Sequence, residues 1–114
     1  MTYQQIYEAL RTTGYPVAFN FFEIGEVPEL PYIVFTYPGN DDFLADNTNY
    51  AEVVQLNVEL YAKRKNILAE KETEAVLRSL LGPYTKTSQW LDTEGMQMTT
   101  YELEVLVNEE ETNG

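Results

Sequence analysis

Residues 39–50, "GNDDFLADNTNY", hold three aspartates and three asparagines in twelve positions. Oxygen at this density suits a hard cation, a pair of catalytic carboxylates, or a turn that caps itself. A helix–loop–helix calcium site needs ligand oxygens at alternate positions, a central glycine and a two-oxygen glutamate at the twelfth. Counted from Asp42, the third position is Leu44, which has no oxygen to give. Counted from Asp46, the third is Thr48 and the fifth Tyr50, and that frame fails too. The plainer reading is a strand-to-strand connection, because Asn and Asp tolerate left-handed backbone and bond their own turns. Phe43 and Leu44 stand out within it as an apolar pair in a polar run.

Paired carboxylates could do acid–base work if they converged in a cleft. The candidates are Glu23, Glu26 and Glu29 in one loop and Asp41, Asp42 and Asp46 in another. With 19 acidic residues in 114, chance neighbours are expected and a solvated acidic rim is the simpler account. The chain has no histidine and no cysteine. Disulfides, zinc held by thiolate or imidazole, and nucleophiles activated by histidine are therefore excluded. Ser79 and Ser88 have no base in view, and neither a phosphate loop nor a nucleophile elbow is present. "PELP" at 28–31 reads as a stiff lead-in to a strand, Trp90 as a half-buried hairpin residue, and Met96 and Met98 as core or interface filler. No catalytic residue, cofactor or metal is expected.

The net charge of −12 argues against a grip on nucleic acid or on anionic membranes, both of which need clustered Lys and Arg. The first residues, "MTYQQIYEAL", have no basic stretch or long apolar run, so we expect no signal peptide and assembly in the cytoplasm.

The elements that must position these loops follow from periodicity. Residues 1–14 predict a helix: Tyr3, Ile6, Tyr7 and Leu10 share a face, Thr2 and Gln5 form a capping box, and Gly14 ends it. Residues 15–22 and 32–39 predict aromatic-rich strands around a Gly/Pro loop. Residues 50–62 alternate cleanly, with Val54, Leu56, Val58 and Leu60 inward. A second helix is predicted over 66–81, with Leu68, Val76 and Leu80 as its stripe and Glu70, Glu74 and Arg78 on a solvated face. Two more strands follow, turning near 92–95; in the last, Tyr101, Leu103, Val105 and Val107 face one way.

The expected architecture is α+β, in the order α-β-β-β-α-β-β. It is a mainly antiparallel five-stranded sheet with two helices packed on one face, formed by residues 1–108 as one domain with a flexible acidic tail at 109–114. The first two strands read as apolar on both faces, and no third helix is available to cover them. Either they curl to bury both faces within the monomer, or a second copy or another protein covers the exposed one. The second outcome is the expectation, with Phe22, Tyr32 and Val34 as interface candidates beside Asp41, Asp42, Phe43, Leu44, Asp46 and Asn47 of the loop.

Several stretches carry a resemblance: "YPVA" at 15–18, Phe22-Glu23, residues 28–32, Ala45-Asp46-Asn47 with Tyr50, and the strand end at 57–61. Together they resemble small tail-component proteins of tailed phages and prophages of Gram-positive bacteria, of the tail-terminator or head–tail joining class. The resemblance implies a non-enzymatic virion protein of mixed α+β fold. It implies a homo-oligomeric ring, a hexamer in this class, on the head-proximal end of the tail tube, touching the tube protein and a connector or head-completion protein. It would be assembled in the host cytoplasm, and DNA would pass through without specific binding. Carboxylates of the 39–50 loop facing such a channel would repel phosphates and prevent sticking. Two alternatives stay open: a head-completion or connector-side part, and a small acidic binding module or DNA mimic.

Overall fold

A computed structural model describes residues 1–38 and 52–108. Six of the candidate residues, Asp41, Asp42, Phe43, Leu44, Asp46 and Asn47, lie outside the described residues, as does the acidic tail at 109–114.

Helix α1 (Tyr3–Arg11) starts as its sequence predicts. The Gln5 amide donates to Thr2 Oγ1 at 3.1 Å and the Thr2 amide donates to Gln5 Oε1 at 2.9 Å, so two otherwise orphaned donors are satisfied reciprocally. At its end the Thr12 and Thr13 hydroxyls donate to the Ala9 and Leu10 carbonyls, and Gly14 takes a left-handed φ of 89° that turns the chain away. Ile6, Ala9 and Leu10 are buried; Tyr3 is not.

The sheet contains β1 (Val17–Phe19), β2 (Tyr32–Thr36), β3 (Glu52–Ala62), β4 (Tyr84–Leu91) and β5 (Met96–Val107), in the spatial order β1-β2-β3-β5-β4. It is a mixed sheet. The β2–β3, β3–β5 and β4–β5 pairs are antiparallel, but β1 runs parallel to β2, where sequential strands suggested a hairpin. The connection explains this. Parallel neighbours need a crossover of about a dozen residues, and the 20–31 loop is long enough to supply it. Asn20, at φ 70°, breaks the strand after Phe19, so β1 is shorter than the predicted 15–22.

The alternation in β3 and β5 is realised as read. Val58 pairs with Tyr101, Leu56 with Leu103 and Val54 with Val105, and all six are buried. Burying each aliphatic side chain contributes about 1.5–3 kcal/mol. Ile33 and Phe35 of β2 join the same cluster, which Ile6 and Leu10 of α1, with Ala69 and Leu77 of the second helical segment, complete.

Helix α2 (Ile67–Val76) is capped by Asn66, whose side-chain oxygen accepts the Ala69 amide at 3.0 Å, and continues as a π-helical turn (Leu77–Leu81) that ends at Gly82, φ 127°. Its inner stripe differs from the expected Leu68, Val76 and Leu80. The buried residues are Ala69, Glu70, Thr73, Leu77 and Leu81, whereas Leu68 is 66 % exposed and Leu80 half-exposed. Small Ala69 and Thr73 are fully buried on this inner face. The Thr73 hydroxyl is satisfied by the Ala69 carbonyl at 2.9 Å, so burying it leaves no unmet polar group.

Register places the other face of the sheet. Tyr32, Tyr61, Met98 and Gln89 form one cross-strand row; Val34, Glu59, Thr100 and Thr87 a second; Thr36, Asn57, Glu102 and Thr85 a third. Beyond β2 this face is largely polar apart from the exposed cross-strand pair Val53 and Leu106 at its far end, which narrows the expectation of a broad apolar face. Only Ala18 of β1 lies on it; Val17 and Phe19 sit with the core-side residues Ile33 and Phe35.

Candidate functional site

Three arrangements could carry function. The first is aromatic. The Phe22 ring lies edge-on to Tyr32 with centroids 5.2 Å apart, and Tyr32 stands 5.4 Å from Tyr61 across the strand pair. The Tyr61 hydroxyl donates to Glu59 at 2.8 Å. Burial pushes the Tyr32 hydroxyl pKa up, and burial together with the bond to Glu59 raises that of Tyr61. The structure thus brings together two of the predicted residues, Phe22 and Tyr32, but Val34 is only 7 % exposed and is closed to a partner in this monomer. The exposed apolar side chains of this region are Phe19, Phe21, Ile24 and Val27, at the end of β1 and in the loop after it. Sequence reasoning passed over Ile24 and Val27. Their signal was present in the 20–31 loop as apolar residues placed between Glu23, Glu26 and Glu29.

The second arrangement is charged. Glu70, expected on a solvated face, is 4 % exposed and lies between two ammonium groups, Lys65 at 3.1 Å and Lys86 at 2.9 Å. Glu74 meets Lys86 at 2.6 Å and accepts the buried Tyr101 hydroxyl at 2.8 Å. The burial of Glu70 has a physical cause. Lys86 occupies the inward register of β4, opposite Tyr101, and a lysine there must meet carboxylates; the i, i+4 pair Glu70 and Glu74 supplies them. Burial alone would raise the Glu74 pKa, but hydrogen bonds from Lys86 and Tyr101 and the nearby positive charge of Lys86 and Arg78 bring it below the usual range. The bond to Glu74 raises Lys86 against its own desolvation, and burial followed by the same carboxylate raises Tyr101. Each group is thereby held in its ordinary charge state near neutral pH. An ammonium fixed by two carboxylates is no nucleophile, and the cluster acts as a tie between α2 and the β4–β5 pair.

The third is an open apolar hollow of about 420 Å³ lined by Tyr3, Gln4, Phe19, Phe35, Tyr37 and Val54. Rings wall it: Tyr3 and Phe19 stand 5.1 and 5.6 Å from Tyr37, and Phe35 stands 5.8 Å from it.

Ser79 and Ser88 are spent locally, on the Ala75 carbonyl and the Thr99 hydroxyl. Among the described residues, no group of three or more carboxylates is placed to hold a metal, and no helix is long and apolar enough to cross a membrane. The chain matches no protein-family model and no curated protein.

Proposed function

We propose that this chain is a structural, non-enzymatic subunit of a tailed-phage particle. In this reading it terminates the tail tube at its head-proximal end as a homo-oligomeric ring, six-fold in this class, and joins tail to head. The observation that carries the self-assembling part is the row of exposed apolar side chains, Phe19, Phe21, Ile24 and Val27, leaving the β1 edge. Apolar surface gathered at one edge marks a contact more often than scattered exposure does. The resemblance of the 15–61 region to small tail proteins supplies the setting, and the negative charge suits a part through which DNA slides without sticking. The test is electron microscopy of tails assembled with and without the protein. Tubes of uncontrolled length in its absence support termination; tails of normal length that take no heads point to joining alone; normal infectious particles overturn the proposal.

A second reading is favoured by one feature. The open sheet face presents Glu59, Glu102 and Glu104, and no Lys or Arg lies on that face among the described strands. Acids without bases on one flat face suit a DNA mimic that occupies a basic nucleic-acid enzyme. Such a mimic works as a monomer or dimer and is displaced by salt and by duplex DNA.

A further inference from the structure

Two exposed patches share apolar character and carry opposite charge. The loop at 20–31 exposes Phe21, Ile24 (99 % exposed) and Val27 in alternation with exposed Glu23, Glu26 and Glu29. The turn from β3 into α2 exposes Lys63 and Arg64, and the first turn of α2 exposes Ile67 and Leu68. In a chain with seven basic residues, Lys63-Arg64-Lys65 is the densest basic run, and Lys65 is already committed to Glu70. The loop leaves β1 at the sheet edge and re-enters at Tyr32, which pairs with Tyr61 of β3; β3 ends at Ala62, just before Lys63 and Arg64.

From this complementarity we infer that the two patches bind one another between copies: the 21–29 loop of one copy seats on the Lys63/Arg64/Ile67/Leu68 corner of the next. The inference rests on the self-assembly proposed above and specifies its contact. Charge sets the geometry. A symmetric loop-to-loop contact buries the apolar residues but sets three glutamates against three, and a corner-to-corner contact sets lysine and arginine against themselves. Like charges facing across a contact are penalised and opposite ones guide the encounter. Only the unlike pairing covers both apolar patches and neutralises both charge sets. Such a contact either closes on itself in a two-fold dimer, each copy's loop on the other's corner, or runs head-to-tail, leaves one free patch of each kind and propagates to a closed ring or an open filament.

The absence of cysteine makes the contact directly testable. Ile24→Cys and Leu68→Cys chains are mixed at millimolar concentration under mild oxidation, and the cross-linked products are separated by mass. The expected result is a mixed dimer exceeding either homodimer about tenfold, the ratio that 1.4 kcal/mol of preference produces. Adding Lys63→Glu and Arg64→Glu to the Leu68→Cys chain brings the mixed dimer down to the homodimer level, and adding Glu23→Lys and Glu26→Lys to its partner restores it. All these positions are exposed, and an unchanged denaturation midpoint verifies that each variant folds. Dominant Ile24→Cys homodimers overturn the proposed contact while leaving self-association standing. No cross-linked dimer of any kind overturns the contact and the self-assembling reading together.

Discussion

The Lys86 ammonium lies 2.6 Å from the Glu74 carboxylate and couples the sheet to the second helix. The same nitrogen also reaches Glu70, so one lysine neutralises two acids on successive turns of α2. Removing it leaves two nearly buried carboxylates, one still served by Lys65 and the other by the Tyr101 hydroxyl. Breaking a buried pair from one side costs about 3–5 kcal/mol, and the remaining partners, with the partial exposure of Lys86, reduce this. Lys86→Met is expected to destabilise the fold by about 2 kcal/mol, read as a lower urea midpoint at unchanged slope. Replacing the acids as well, Lys86→Met with Glu70→Gln and Glu74→Gln, costs less than Lys86→Met alone, because no carboxylate is stranded and the Tyr101 hydroxyl keeps an acceptor.

The same cluster contributes to both ends of the pH profile. Glu74 titrates below its unfolded value, so its contribution is present above the unfolded pKa of about 4.3 and is lost as pH falls through the lower folded value. Lys86 and Tyr101 titrate above their unfolded values, so their contributions are complete below about pH 10 and fade as pH rises through the folded ones. Tyr15 adds to the alkaline limb: burial and its bond to Glu72 push it up to about 12. Thermal melts are expected to show a flat maximum between about pH 5 and 9, a fall in acid and a fall above about pH 10. Tyr15→Phe makes the alkaline fall shallower and leaves the acid limb unchanged.

The rotation of α2 gives a paired test. Leu77 is fully buried against the core, whereas Leu68, the more obvious core candidate by periodicity, faces outward. Leu77→Ala is expected to cost about 2–5 kcal/mol and Leu68→Ala within about 0.5 kcal/mol of zero, both by urea denaturation of the monomer. The reverse order would place the helix one residue round from where it lies.

Those two leucines also mark where the sequence became hard to read. β3 and β5 were legible to the residue, because strict alternation over many positions leaves one face for the core. The cap of α1 and the turn at 92–95 were legible because their chemistry is local; Gly95 indeed closes that turn with φ 66°. Helix α2 was not, because its inner stripe is Ala69, Glu70 and Thr73, two small residues and an acid that is buried against a lysine sixteen positions away. The parallel pairing of β1 was hidden for a similar reason: Asn20 could mark a turn or continue a strand, and only the path of the 20–31 loop decides. Among the candidate interface residues, Phe22 and Tyr32 are partly exposed, whereas Val34, chosen on the same apolar character, is buried.

That contrast separates surface from core by experiment. Phe21, Ile24 and Val27 are exposed in the monomer, so Phe21→Ser, Ile24→Ser and Val27→Ser are each expected to move its stability by no more than about 0.5 kcal/mol. Val34→Ala removes two buried methyl-sized groups and is expected to cost about 1.6 kcal/mol at about 0.8 per carbon. If the apolar loop makes the contact between subunits, the three serine variants fold normally yet fail to enter tails, whereas Val34→Ala is less stable but enters them at low temperature. Incorporation measured from purified particles, set beside urea midpoints of the free chains, gives the two readouts. Serine variants that fold and still enter tails at the native level would remove the β1 edge and its loop from the assembly contact.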